Sequence, residues 1–271
     1  MKPHANGDSE VTSKIDRLAA ALADAWMNNK RIPLPAAADG PASRQEAYAV
    51  QDRIAEIVGE PIAGWKVGAA VRAVQIFEGH DGPIPGRVFV SRVFDSPATP
   101  PAALFEGYKV ECEFAFRTAA AFSPRPNPFG REEIAPHLTL HFGIELAGSR
   151  YQPVTGGRKA TTHDAIADNG AGGGFVFGPG IRDWQKLDFE TLPVEARVDG
   201  GAPIQTYTGE MRRDPVDIFV ETVNDLSARG ITLEAGHYIS TGSLTLPTPI
   251  DRGQQLVAHF GDFEPLHVRL A

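Results

Sequence analysis

With 271 residues, 42% hydrophobic and 22% charged, the chain has an ordinary soluble globular balance and the length for one large domain with a smaller helical lobe. A formal net charge of −8 argues against general nucleic-acid binding, which needs a cationic surface. The one cysteine, Cys112, excludes an intramolecular disulfide and fits a reducing cytoplasm. No run approaches the length of a transmembrane helix, and MKPHANGDSEVTSK lacks the apolar core of a signal peptide.

Residues 1–9 read as a disordered tail. Val11, Ile15, Leu18, Ala19, Leu22, Ala25 and Trp26 then recur at helical spacing. A Pro/Ala/Gly-rich connector runs from Pro33 to Ala42. Ser43 follows as an N-cap, with Glu46 three residues on, and Ala47, Val50, Ile54, Ile57 and Val58 form a stripe ending near Gly59. These two helices predict an N-terminal lobe over residues 10–60, and a β-rich domain takes 61–271. In PIAGWKVGAA, Trp65 and Val67 alternate with Lys66 between Gly64 and Gly68. By itself Lys66 reads as an exposed lysine, but the flanking glycines permit close approach of another backbone or a ligand. Phe77 to Phe89 is turn-rich, with a short strand at Arg87–Phe89 and Asp81 as an Asx-turn residue.

YKVECEFAFR, Tyr108 to Arg117, alternates. Val110, Cys112, Phe114 and Phe116 take one face, and Glu111 and Glu113 project side by side from the other. Such a pair is either a solvated strand face or two carboxylates of a divalent-metal site, and these residues alone leave both open. Cys112, on the apolar face, reads as a buried, inert thiol. A helix is predicted from about Arg131 to Phe142. Beyond it Glu145, set among apolar and small residues, is a third candidate carboxylate. His137, His141 and Glu145 lie four apart and would share a helix face as a zinc site. Gly143 interrupts that face, and the pattern is not HExxH.

The glycines of GAGGGFVFGPG miss the dinucleotide register, because Phe175 takes the third position and no βαβ unit frames them. They predict a tight turn feeding a buried strand at Phe175–Phe177, or a turn whose amides face an anion. PVEARVDG and APIQTYTG form a predicted hairpin around Asp199-Gly200-Gly201. Asp214-Pro215 starts a helix that ends at Gly230. Strands follow at His237–Thr241, Gln255–Phe260 and Leu266–Leu270.

Taken in order, several segments resemble one family. They are GWKVG (Gly64–Gly68), DGPIPGRVF (Asp81–Phe89), VECEFAF (Val110–Phe116), GIELAGSR (Gly143–Arg150), ADNGAGG (Ala167–Gly173) and ISTGSLTLPTPI with the following RGQ. The set resembles the 2-keto-4-pentenoate hydratases and related decarboxylases of the fumarylacetoacetate hydrolase superfamily. The resemblance implies an α+β fold, a mixed β-roll with an N-terminal helical lobe. It implies a divalent cation, Mg or Mn, held by Glu111, Glu113 and Glu145. Lys66 takes the proton-transfer position, its pKa lowered by burial and a nearby cation, while Asp81, Asp168, Asn169, Thr241 and Gly242 orient substrate or water.

The implied reaction is hydration of a 2-hydroxy-dienoate to a 4-hydroxy-2-oxo acid, in the catabolism of aromatic-derived compounds. The alternatives are metal-dependent decarboxylation of a 2-oxo-dienedioate, with Arg72, Arg150 or Arg158 meeting the second carboxylate, and a non-catalytic binding member of the fold. The implied partners are a small 2-oxo or dienoic acid and further copies of the chain, with no nucleic acid and no membrane. The chain departs from the family pattern at Ala171, where a serine is usual, at Ile84, at Glu221, and at Arg213 to Pro215.

Overall fold

The computed structural model describes residues 5–153 and 157–271. Two helices come first, α1 (Ala5–Met27) and α2 (Arg44–Val58). Leu18, Ala19 and Leu22 of α1 pack with Ala47, Val50 and Ile54 of α2. Ser43 Oγ accepts the Glu46 N–H at 3.2 Å, and Glu46 Oε2 accepts the N–H of Ala42 at 3.0 Å. Gly59 closes the helix at φ 65°, a left-handed conformation cheap only for glycine. Since α1 starts at Ala5, residues 5–9 are helical instead of part of a disordered tail, and residues 1–4 lie outside the described residues.

The remainder is built on two sheets. The larger takes β1 (Ile62–Gly68), β2 (Ile84–Phe89), β3 (Val93–Asp95), β4 (Lys109–Thr118), β5 (Leu138–Ala147), β6 (Gly172–Phe177), β8 (Tyr238–Ser243) and β9 (Thr248–Pro249). Its order is β2-β1-β8-β4-β5-β6-β3, with β9 alongside β4. The β1–β8 and β3–β6 pairs are parallel and the rest antiparallel. The smaller sheet orders β11 (Leu266–Arg269), β10 (Gln255–Phe260) and β7 (Val194–Val198). The sheets meet through aromatic side chains, with Phe142 of β5 stacked on Phe260 of β10 at 4.4 Å. A helix, α6 (Pro215–Ala228), packs its Phe219 against Phe116 of β4. This is the expected α+β architecture, a curled mixed sheet with helices.

Four local expectations change. The helix expected over 131–142 is one turn, α4 (Arg131–Ile134), and the chain then enters β5. Leu138, Leu140, Phe142, Ile144 and Leu146 keep a strand period and are all buried, but His141, Gly143 and Glu145 between them are buried too, which blurs the alternation. His137, His141 and Glu145 therefore share no helix face, and the zinc reading falls. The turn at Asp199 (φ 49°) and Gly200 (φ 67°) forms as expected. The second arm of that hairpin does not. It contributes a bond from the Ile204 N–H to Ala196 O and a bridge from Thr206 to Thr245, while β7 pairs with β10.

The strand expected at Arg87–Phe89 starts three residues earlier, at Ile84. Two short helices, α3 (Arg72–Glu78) and α5 (Thr162–Ala167), were not foreseen, because two turns carry too little periodicity to read. Among the described residues no helix is long and apolar enough to cross a membrane.

Candidate metal centre

The apolar face of β4 holds the strand in place. Val110, Cys112, Phe114 and Phe116 are each at most 1% exposed, and burial pushes the Cys112 thiol up to about 12, which makes it inert. The other face is turned by the same pleat toward a cavity of about 490 Å³, a size suited to a small ligand. Glu111 and Glu113 line it. The ten-residue ladder of β4 with β5 sets Glu145 directly opposite Glu111, and Gly143 opposite Glu113. Oxygens of the three carboxylates thus lie within 4.8 Å of one another. On the other edge of β4, a bulge against β8 lets Gly242, at φ 98°, point its N–H at Glu113 Oε2, 3.3 Å away.

Lys66 comes from β1 and is 5% exposed, so it is no surface lysine. Its Nζ donates to Gly170 O at 2.9 Å and stands 3.4 Å from Glu145 Oε1. The acceptor belongs to a short left-handed run, Asn169 (φ 53°), Gly170 (φ 64°) and Ala171 (φ 54°). Asn169 pins that run, since its Oδ1 accepts the Arg87 N–H and its Nδ2 donates to Arg87 O, both at 2.7 Å. Gly86 permits the approach, because a Cβ there would fall 2.0 Å from Asn169 O. Gly64 does the same for β1 and β8, where a Cβ would fall 2.0 Å from Tyr238 O.

Burial pushes the Glu111 carboxyl up to about 8, with Glu145 adding to the rise and Lys66 opposing it. Burial likewise raises Glu113, with Glu145 and Glu111 adding to it, and raises Glu145 against the opposing pull of Lys66. Burial alone would depress Lys66. The attraction of Glu145, Glu111 and Glu113 outweighs it, so without a bound cation its pKa is raised above the usual lysine value. Both Glu145 oxygens are buried and, among the described residues, accept no hydrogen bond, Oε1 having only the ion pair with Lys66. Three clustered carboxylates, one of which accepts no hydrogen bond among the described residues, fit a hard divalent cation such as Mg or Mn.

The other expected site residues divide. Thr241 and Gly242 line the cavity, and Thr241 Oγ1 donates to Phe114 O at 2.9 Å. Asp168 and Asn169 are buried and do not line it. Asp168 accepts Ser149 Oγ at 2.6 Å and Arg150 Nε at 2.5 Å, so it anchors the turn that presents Gly170. Asp81 is exposed and pairs with Arg44 of α2 at 3.0 Å, away from the carboxylates. Among the arginines expected to meet a second carboxylate, Arg150 is committed to Asp168, Arg158 to Asp164, and Arg72 to Gln75. None of the three lines the cavity, whereas Arg212 and Tyr207, which the sequence did not single out, do.

A curled mixed sheet with three carboxylates on two adjacent strands and a lysine against them makes a candidate metal centre, and the fold is that of the fumarylacetoacetate hydrolase superfamily. The chain matches no family model. It is 25% identical over 235 residues to a 2-oxo-hept-4-ene-1,7-dioate hydratase of Escherichia coli, covering 83% of this chain and 86% of that protein. It is 26% identical over 219 residues to a 4-oxalocrotonate decarboxylase of Pseudomonas sp. (strain CF600), covering 79% of this chain and 81% of that protein.

Among solved structures, the fold is similar to 4-oxalocrotonate decarboxylase from Pseudomonas putida G7 complexed with magnesium and adipate. The TM-score is 0.83 at 21% identity, over 96% of this chain and 98% of that one. It is also similar to fumarylpyruvate hydrolase from Pseudomonas aeruginosa in complex with Mn2+ and pyruvate, with a TM-score of 0.51 at 17% identity, over 76% of this chain and 88% of that one.

Proposed function

We propose that the protein is a divalent-metal-dependent hydro-lyase that adds water to a 2-hydroxy-2,4-dienoic acid and yields a 4-hydroxy-2-oxo acid. The observation that carries this reading is the Glu145 carboxylate, buried and accepting no hydrogen bond among the described residues, opposite Glu111 and beside Glu113, with Lys66 3.4 Å away. Glu111, Glu113 and Glu145 hold the cation, which when bound supplies Lewis-acid stabilisation of the negative charge developing on the substrate's C2 oxygen.

Without a cation the three carboxylates raise the Lys66 pKa, and a cation held by them would oppose that rise. In ketonisation the 2-hydroxyl proton leaves and C5 gains one, giving a conjugated 2-oxo-3-enoate. Water then adds to C4 and a proton to C3. Lys66 Nζ, held by Gly170 O at 2.9 Å, is the group we assign to moving protons at these carbons. Thr241 and Gly242 close the wall beside Glu113 and orient substrate or water there.

The test is incubation of the Mg-loaded protein with 2-hydroxypenta-2,4-dienoate. Loss of the dienol absorbance with formation of the 4-hydroxy-2-oxo acid supports the reading, and an unchanged spectrum sinks it. A second reading, decarboxylation of a 2-oxo-dienedioate, is supported by the 26% identity to a 4-oxalocrotonate decarboxylase. Release of CO2 from 2-oxo-hex-3-enedioate would decide for it. The same reading places the protein in cytoplasmic catabolism of aromatic-derived compounds. It also makes it a homo-oligomer, a state that would cover apolar side chains such as Ile76 and Phe77 of α3, 67% and 71% exposed.

A further inference from the structure

The cavity has an apolar end that an unsubstituted dienoic acid leaves unfilled. Leu34, Ala69, Ile84, Tyr151 and Ala165 line it, and each belongs to or packs against the hydrophobic cluster of α1 and α2. Ala69, Ile84 and Tyr151 are buried, and Leu34 and Ala165 are half-buried. The N-terminal lobe thus closes one wall of the site. Ile84, the first residue of β2, is the member nearest the reacting groups. A Cβ on Gly68 would fall 2.7 Å from Ile84 Cγ1 and 3.0 Å from Lys66 Nζ, so the isoleucine side chain and the amine flank the space that Gly68 leaves open.

None of the side chains at that end carries a cation. The cationic side chains elsewhere on the lining are engaged or outward. Lys66 faces Glu145, Arg213 pairs with Glu221, and His80 faces Glu78 at 3.7 Å. Arg31 and Arg212 each donate to two backbone carbonyls, and Lys109 is exposed. The polar atom of the apolar end is the Tyr151 hydroxyl, and burial raises its pKa, so it stays an uncharged phenol. A carboxylate placed among these side chains would be desolvated with no charge to balance it, whereas a hydrocarbon group would gain by burial.

We infer that this end seats an uncharged hydrocarbon group carried by the dienoic acid beyond C5, so that the substrate is a monoacid with an alkyl tail. The inference rests on the proposed function, which sets Lys66 beside C5, because the next atoms out then meet Ile84. The room agrees. A cavity of about 490 Å³ lies in the range that buries drug-sized ligands, more than a five-carbon acid fills. Ile84 and Leu34 are specificity residues and take no part in proton transfer.

The experiment is calorimetry on the Mn-loaded protein with three unreactive probes, 2-oxopentanoate, 2-oxoheptanoate and 2-oxoheptanedioate. In the wild type the two methylenes that separate the first two probes are expected to tighten binding by about 15-fold, about 4-fold each. The diacid, with a carboxylate in place of the last methyl, should bind at least about 10-fold more weakly than 2-oxoheptanoate. Ile84→Asn puts an amide in the apolar end and should cut the 15-fold gain to about 4-fold or less while Mn2+ binding persists. If that variant fails to bind Mn2+, and so has not folded, Leu34→Ser at the half-buried position decides, with a gain lowered at least about 2-fold. A wild-type gain below about 3-fold, a diacid that binds as tightly as the monoacid, or a gain that survives both variants overturns the inference and leaves the proposed function standing. Failure of all three probes to bind overturns both.

Discussion

Glu145→Gln tests the metal centre through two effects of opposite sign. Glutamine keeps the volume of glutamate and removes one charge. At 4.8 Å, the widest separation of the ligand oxygens, each repulsion of Glu145 with Glu111 and Glu113 is about 3.5 kcal/mol at an effective dielectric of about 20. The attraction to Lys66 at 3.4 Å is about 5 kcal/mol on the same scale. The net relief is therefore about 2 kcal/mol, which for a chain of this length raises the metal-free melting temperature by about 3–4 °C. It is an upper figure near neutral pH, where protons on the upshifted carboxyls already relieve part of the repulsion, and it should grow above pH 8.

The metal response runs the other way. Wild type with Mn2+ at about 100 times its dissociation constant gains about 2.7 kcal/mol, near 5 °C. The variant should lose most of that gain. Differential scanning calorimetry with and without Mn2+ reads both effects. A variant less stable than wild type without metal, yet still stabilised by Mn2+, would refute the assignment of Glu145 as a ligand held against its neighbours' charge.

Lys66→Met should lower turnover by at least about 100-fold while Mn2+ binding is retained or tightened, because it removes a cation facing the triad; steady-state kinetics and Mn2+ titration separate the two. Arg150→Met leaves Asp168, 2% exposed, as an uncompensated buried charge, and urea denaturation should show a loss of about 3–5 kcal/mol. Burial depresses the His141 pKa below 6.5, while its ring nitrogen Nδ1 is 2.8 Å from Gly178 O. Unfolded chains therefore bind the proton first as pH drops. The stabilisation is complete above about pH 6.5 and is lost as pH falls toward the folded value. Urea midpoints at pH 7.5 and 5.5 should differ less in His141→Gln than in wild type, and an unchanged difference would count against this role for His141.

Much of the site was legible where the chemistry is local. The alternation of Glu111 and Glu113 against Val110, Cys112, Phe114 and Phe116 is a two-residue pattern, and β4 realises it. The Ser43 cap, the Gly59 stop and the Asp199-Gly200 turn are likewise short-range, and each forms. The first half of β5, Leu138 to Phe142, reads as the end of a helix because the strand's alternation is hidden where both faces are buried. The DNGA segment was read as touching substrate, yet Asp168 and Asn169 spend their side chains on Arg150 and on the backbone of Arg87. A polar residue in a glycine-rich turn looks the same in sequence whether it binds a ligand or holds the turn.

By itself the sequence determined the residue types, the pair of carboxylates on one strand face, and through ordered resemblance the α+β fold and a third carboxylate. Tertiary structure alone decided that Glu145 stands opposite Glu111, because strand register is set by burying every second side chain across ten paired residues. It alone turned Lys66 inward onto Gly170 and raised its pKa through three carboxylates from other strands. It also brought Arg212, about a hundred residues beyond Glu111, to the lining of the same cavity. Contacts of that range arise only when the sheet curls and closes, and no local pattern encodes them.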